Sequence, residues 1–431
     1  MSNTTFIGSD PVWANACVGE NGFINYVTYA EGFSKAANLI LDRVLSNYGN
    51  DIDSFIYPIC FNMRHSIELR LKGAIEEIQK LANIKGVTLS SFSLAGSHDI
   101  GNIWVYFKQN SEMLDVRFKA INNLLDKTIL DIAEIDSTGQ TFRYPVDVDN
   151  NKHLTEQCII SCKVLKEKFH NLEENLNNLN YLNYLLIDEY KKKTFTKKFS
   201  RAQIFNLVQE LPEVSSWTKE LKSEIRSKYS LSSNDLSKIL DFVKTNYEIS
   251  KFVGIKKNLM ALPDELVIEL SDIWVNQFYP KFRELYSGGV SSSFYDPLDK
   301  KRLQETKQYI DNKQKIYEYL EGKLTLDFVA DLWALYYISR DSIKYSEDYI
   351  FNYEYFKKDI AAEKSIIHAF NHIFSKTDFV EAIIYSLFFL QKTDIAEIII
   401  KNNDLDLYFK KIPEARSRQM FNKWDFLDYH I

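Results

Sequence analysis

With 431 residues, 45% of them hydrophobic and 14% aromatic, and only 14 glycines and 8 prolines, the chain can bury two or three cores and is not a disordered or fibrous sequence. Its 59 acidic and 53 basic residues give a formal charge of −6, so any nucleic-acid contact must be a local patch rather than a property of the whole surface. The four cysteines, Cys17, Cys60, Cys158 and Cys162, lack the paired CxxC spacing of zinc ribbons and suit a reduced, cytosolic protein.

Residues 1–19 have neither the basic lead nor the apolar centre of a secretory signal, so the chain is expected to stay in the cytoplasm. Over 22–45, Phe23, Val27, Ala30, Phe33, Ala37, Ile40 and Val44 recur at three-and-four spacing and predict a first long helix. Gly49 and Asn50 end it, and Asp53 or Ser54 is expected to cap a second helix over 55–81 that tolerates Pro58 in its first turn. In that helix Arg64, Glu68 and Lys72 share one face and Ile67, Leu71, Ala74 and Ile78 another.

Gly96-Ser97-His98-Asp99 reads as the start of a third helix carrying Ile103, Trp104 and Phe107, and a fourth lies around 116–125. Pro145 forces Tyr144 out of helical geometry, so Thr141-Phe142-Arg143-Tyr144-Pro145 is a connecting loop. A closing helix is expected from Thr155 to Leu186, with Cys158 and Cys162 on one buried face. The organisation that follows is a terminal segment (1–19), a helical bundle (20–188), a basic hinge (189–200) and a C-terminal helical region (201–431). Helices there are expected at 201–210, 216–229, 233–250, 264–286, 300–321 and 325–340, with a mobile loop at Ser287–Ser293. The fold class is therefore all-α, with helix above about 60% of residues. The apolar stretch Ala382–Leu390 is far short of the roughly 20 residues needed to span a bilayer and reads as a buried helix, so no membrane partner is expected.

Arg64-His65-Ser66-Ile67-Glu68-Leu69-Arg70-Leu71-Lys72, then His98-Asp99-Ile100 with Trp104, then Phe142-Arg143-Tyr144-Pro145, occur in an order that resembles the HEPN superfamily over roughly residues 20–175. The resemblance implies a dimeric helical bundle of a prokaryotic defence or toxin–antitoxin system, and in active members metal-free RNA cleavage by an arginine and a histidine with four to six residues between them. No arginine here has a histidine five to seven positions on. Arg64 and His65 are adjacent, so they diverge by about 100° around the helix. A weaker catalytic set remains: His65 or His98 as general acid or base near an ordinary pKa of about 6.5, with Arg64 or Arg143 stabilising a phosphorane-like charge.

Binding residues would be Glu68, Lys72, Asp99 and Tyr144, with Lys191, Lys192, Lys193, Lys197 and Lys198 of the basic run as an RNA grip beside Tyr190, Phe195 and Phe199. The alternative is an ion network of Arg64, Glu68 and Lys72 on one helix face, His98 and Asp99 capping a helix, and a noncatalytic scaffold that dimerises and recruits a protein partner through the C-terminal half. His368 and His372 are spaced for zinc, but Ala369 stands where a zincin needs glutamate and no third ligand is evident; no metal or cofactor is expected. Tyr353, Tyr355 and Phe356 read as core.

Overall fold

The computed structural model describes residues 4–22, 25–46, 51–286, 300–320, 322–340, 345–362 and 365–421. It is 71% helical, above the expected 60%, and the only β feature among the described residues is an isolated Val146–Lys152 bridge. The chain divides into two compact units after Lys191. The expected loop Ser287–Ser293 lies outside the described residues.

The first unit contains α1 (Tyr26–Ser46), α2 (Ile52–Lys85), α3 (Ile100–Leu114), α4 (Phe118–Ile135) and α5 (Cys162–Lys191). The α1 stripe of Ala30, Ala37, Leu41 and Val44 is buried, and α2 packs against α1, α3 and α5. Backbones come close at Gly73, where a Cβ would lie 3.3 Å from the Tyr26 Cβ. Gly86 ends α2 in the left-handed conformation at φ 66°, its N–H reaching the Ala82 and Asn83 carbonyls.

Three expectations are corrected here. The second helix starts at Ile52, because the Asp51 carbonyl accepts from the N–H groups of Ser54 and Phe55; Asp53 and Ser54 lie inside it. Pro58 is therefore past the first turn, and the carbonyl four residues back, on Ser54, gives up its helical bond. The closing helix begins at Cys162, not Thr155, and residues 155–161 are irregular; Cys158 is exposed outside it while Cys162 is buried.

The second unit runs through α6 (Arg201–Gln209), α7 (Lys219–Tyr229), α8 (Ser233–Thr245), α9 (Tyr247–Ser250), α10 (Asp264–Ile273), α11 (Phe282–Tyr286), α12 (Lys300–Leu320), α13 (Leu326–Ile338), α14 (Glu347–Ala362), α15 (Ile366–Phe374), α16 (Phe379–Phe389), α17 (Thr393–Asn403) and α18 (Ile412–Arg416). Helices α13 and α16 are buried almost all round and pack on each other, as expected of segments apolar on every face. Ala382 to Leu390 is thus core, and no helix among the described residues is long and apolar enough to cross a membrane.

Two expected helices are broken for local reasons. At Asn246 the side chain accepts from the N–H of Glu248 (2.8 Å) and Ile249 (3.1 Å), which starts a new helix instead of extending α8. The expected 264–286 helix becomes α10, one π turn over Trp274–Phe278, and α11, because Pro280 has no N–H to continue the ladder. Tyr353 is core, but Tyr355 is 55% exposed.

Candidate functional site

Helical spacing stacks Arg64, Glu68 and Lys72 on one face of α2, and the bundle buries that face: the three residues are 3%, 2% and 5% exposed. Arg64 pairs with the Glu68 Oε2, and Lys72 Nζ donates to Oε1 at 2.8 Å. Three of the other Arg64 donors turn to backbone carbonyls: Nε to Asp136 at 3.1 Å, and Nη2 to Ser137 at 2.7 Å and to His98. One guanidinium therefore ties α2 to the turn before α3 and the turn after α4. Gly139 lies against it at φ 81°; a Cβ there would sit 3.1 Å from Arg64 Nη1, so both the backbone and the close approach require glycine.

His98 Nδ1 is 3.0 Å from Glu68 Oε1, while its side chain is 63% exposed. The carboxylate orients the ring through Nδ1 and leaves Nε2 toward solvent. Asp99 caps α3, accepting from the Asn102 N–H at 2.9 Å. Burial pushes the Glu68 carboxyl up, but the hydrogen bonds from Lys72 and Arg64 outweigh it and hold the group below the ordinary glutamate range.

His65 faces another way. Its ring meets Phe33 edge-on at 4.5 Å and stacks with Phe61 at 5.8 Å. Desolvation is the main cause that lowers its pKa, so at neutral pH it is an uncharged packing residue between α1 and α2.

Arg143 does not join the cluster. It is exposed, with its guanidinium 5.3 Å from the ring centroid of Tyr144, itself 46% exposed. Its neighbour Phe142 lines a largely apolar cavity of about 470 Å³ with Cys60, Met63, Arg64, Leu165 and Phe169, while Arg143 itself sits exposed in the turn after α4. Burial raises the Cys60 thiol to about 12, which makes it an inert wall residue.

The basic run is not one solvated grip. Lys192 binds Asp348 at 2.6 Å, Lys198 donates to the Ser230 carbonyl, and Thr194 and Thr196 between them are buried. Lys191, Lys193, Lys197 and Lys198 are exposed, Lys193 at φ 62°. In α15, the His372 ring stacks on Trp333 at 5.1 Å.

Two buried charge clusters have no counterpart in the sequence reading. In the first unit Arg117 binds Asp115 (Nη2 to Oδ2, 2.8 Å) and Glu189 (Nη2 to Oε1, 2.7 Å), and Tyr190 donates to Asp115 at 2.8 Å. In the second, Arg201 is 1% exposed and holds Glu248 at 2.5 Å and both oxygens of Glu347 at 2.9 Å. No local spacing announces either cluster as a whole, because Glu189 is 72 residues from Arg117 and Glu347 is 146 from Arg201 in the chain.

No family model, curated protein or solved structure matches this chain.

Proposed function

We propose that this chain is a HEPN-like helical protein of a prokaryotic defence or toxin system, acting in the cytoplasm as a homodimer. Its N-terminal bundle serves for binding and assembly, with RNA or a nucleotide as the ligand class and a protein partner engaged through the C-terminal half. The reading is noncatalytic. What carries it is the state of Arg64: four of its five N–H directions are taken by Glu68 and three main-chain carbonyls, so it has no free pair of donors with which to clamp a developing phosphorane charge. Arg143, the other cation of that set, is exposed beside Tyr144.

The test is incubation of the purified full chain with labelled single-stranded RNA in excess chelator, alongside His65→Ala and His98→Ala. Intact RNA with all three proteins is expected, together with a dimer mass in sedimentation. Cutting by the wild type that disappears in His98→Ala would overturn the noncatalytic reading.

One observation favours a second reading, in which the bundle is a metal-independent ribonuclease. A buried carboxylate that fixes an exposed imidazole through Nδ1 is the arrangement a general base needs, and Glu68 and His98 have it. His98 would then take a proton from a ribose 2′-hydroxyl, and a cation would have to come from elsewhere, a partner subunit included.

A further inference from the structure

The second unit contains a cavity of about 640 Å³ with charged and phenolic side chains in its lining, inside the usual range for small-molecule sites. Its floor is Glu381 at the start of α16. Tyr286 donates to Glu381 Oε2 at 2.6 Å and Tyr385 to Oε1 at 2.7 Å. The phenols pair one to each oxygen, and a carboxylate offers about four acceptor directions, so one direction on each oxygen remains for a ligand. Beside it Asp378 is already neutralised by Arg340 and accepts from Tyr336 at 2.9 Å. Glu381 is the carboxylate lining this cavity that enters no ion pair among the described residues, and it presents two oxygens side by side.

The walls and rim differ from the floor. The half-buried Tyr408 supplies an aromatic wall. Lys410 and Lys411 are exposed at the rim, and neither enters an ion pair among the described residues. A ligand matching all three features has a planar ring, two adjacent N–H donors on one edge, and an anionic group at the far end. The geometry points to a guanine nucleotide: the guanine N1–H and exocyclic amine on Glu381, the ring against Tyr408, and the phosphate toward Lys410 and Lys411. Adenine has a lone pair where guanine has its N1–H and would face the carboxylate with repulsion. A site built to pair two donors rejects an analogue that lacks them.

This site lies wholly in the second unit and is independent of the ligand proposed for the bundle. Calorimetric titration of the full chain with GMP, AMP, guanosine and inorganic phosphate tests it, with circular dichroism confirming that each variant is folded. GMP is expected to bind at least 10-fold tighter than AMP and tighter than guanosine. Glu381→Gln should weaken GMP at least 10-fold and erase the preference over AMP. Lys410→Ala with Lys411→Ala should bring GMP down to the affinity of guanosine. His98→Ala should leave all of these values unchanged, which separates this site from any nucleotide site in the bundle. No heat with GMP at millimolar concentration, equal affinity for AMP and GMP, or loss of GMP binding in His98→Ala would each overturn the assignment.

Discussion

Glu68→Ala is expected to unfold much of the N-terminal unit, at a cost of about 3 to 5 kcal/mol, because it leaves Arg64 and Lys72 as buried cations without their shared carboxylate. Removing a single partner from a buried ion network costs far more than the network's net worth. The triple change Arg64→Met, Glu68→Leu, Lys72→Met should therefore be much milder than Glu68→Ala alone, although it also surrenders the three carbonyl contacts of Arg64. Hydrogen exchange followed by mass spectrometry checks this unit by unit, with lost protection expected in α2 to α4 and not in α13 or α16. The pH dependence has a definite sign. The Glu68 carboxyl is held below its usual range by Lys72 and Arg64, so its contribution is complete at neutral pH and is lost as acid takes the protein through that lowered value. A variant as stable as wild type at pH 7 would show that the charges contribute nothing.

Arg201→Met should be comparably severe in the second unit, again about 3 to 5 kcal/mol, since Glu248 and Glu347 would be left facing each other with their shared cation gone. Methionine keeps part of the packing against Phe205 and Tyr345, whose rings lie 4.4 and 4.9 Å from the guanidinium carbon, so charge dominates the loss. In the wild type, burial raises the Glu347 carboxyl, but Arg201 and the hydrogen bond from Thr194 hold it below the ordinary range. In the variant burial and Glu248 act almost unopposed, so the carboxyl moves up. The penalty is then full at neutral pH and eases as pH falls through the raised value, the reverse of the wild-type trend. Thermal unfolding between pH 8 and pH 5 should bring the two proteins closer together as acid is added; parallel curves would refute the argument.

The all-helical fold was legible because helical periodicity is a short-range property, repeated over segments such as α1 and α2. The i, i+4 charges of α2 likewise announced that Arg64, Glu68 and Lys72 would meet, and the His-Asp pair before α3 brought His98 to them. Periodicity misled over 155–161, where Ile159 and Ile160 continue an apolar pattern although the backbone is irregular. It carried no information on Arg143, which lies in an irregular turn where helical spacing does not apply. Nor could it bring Glu189 to Arg117, Glu347 to Arg201 or Tyr286 to Glu381, since these partners arrive from distant parts of the chain.

The Arg64 guanidinium also bears on the order in which the bundle assembles. Its carbonyl partners lie 34, 72 and 73 residues further along the chain. Each such closure costs chain entropy before any bond is gained, whereas the helices can form from local contacts. The guanidinium is thus a latch that engages late, after α2, α3 and α4 have met. Interactions absent from the folding transition state act mainly on the rate of unfolding. Arg64→Met is therefore expected to speed unfolding more than it slows folding, read from the two arms of a denaturant chevron.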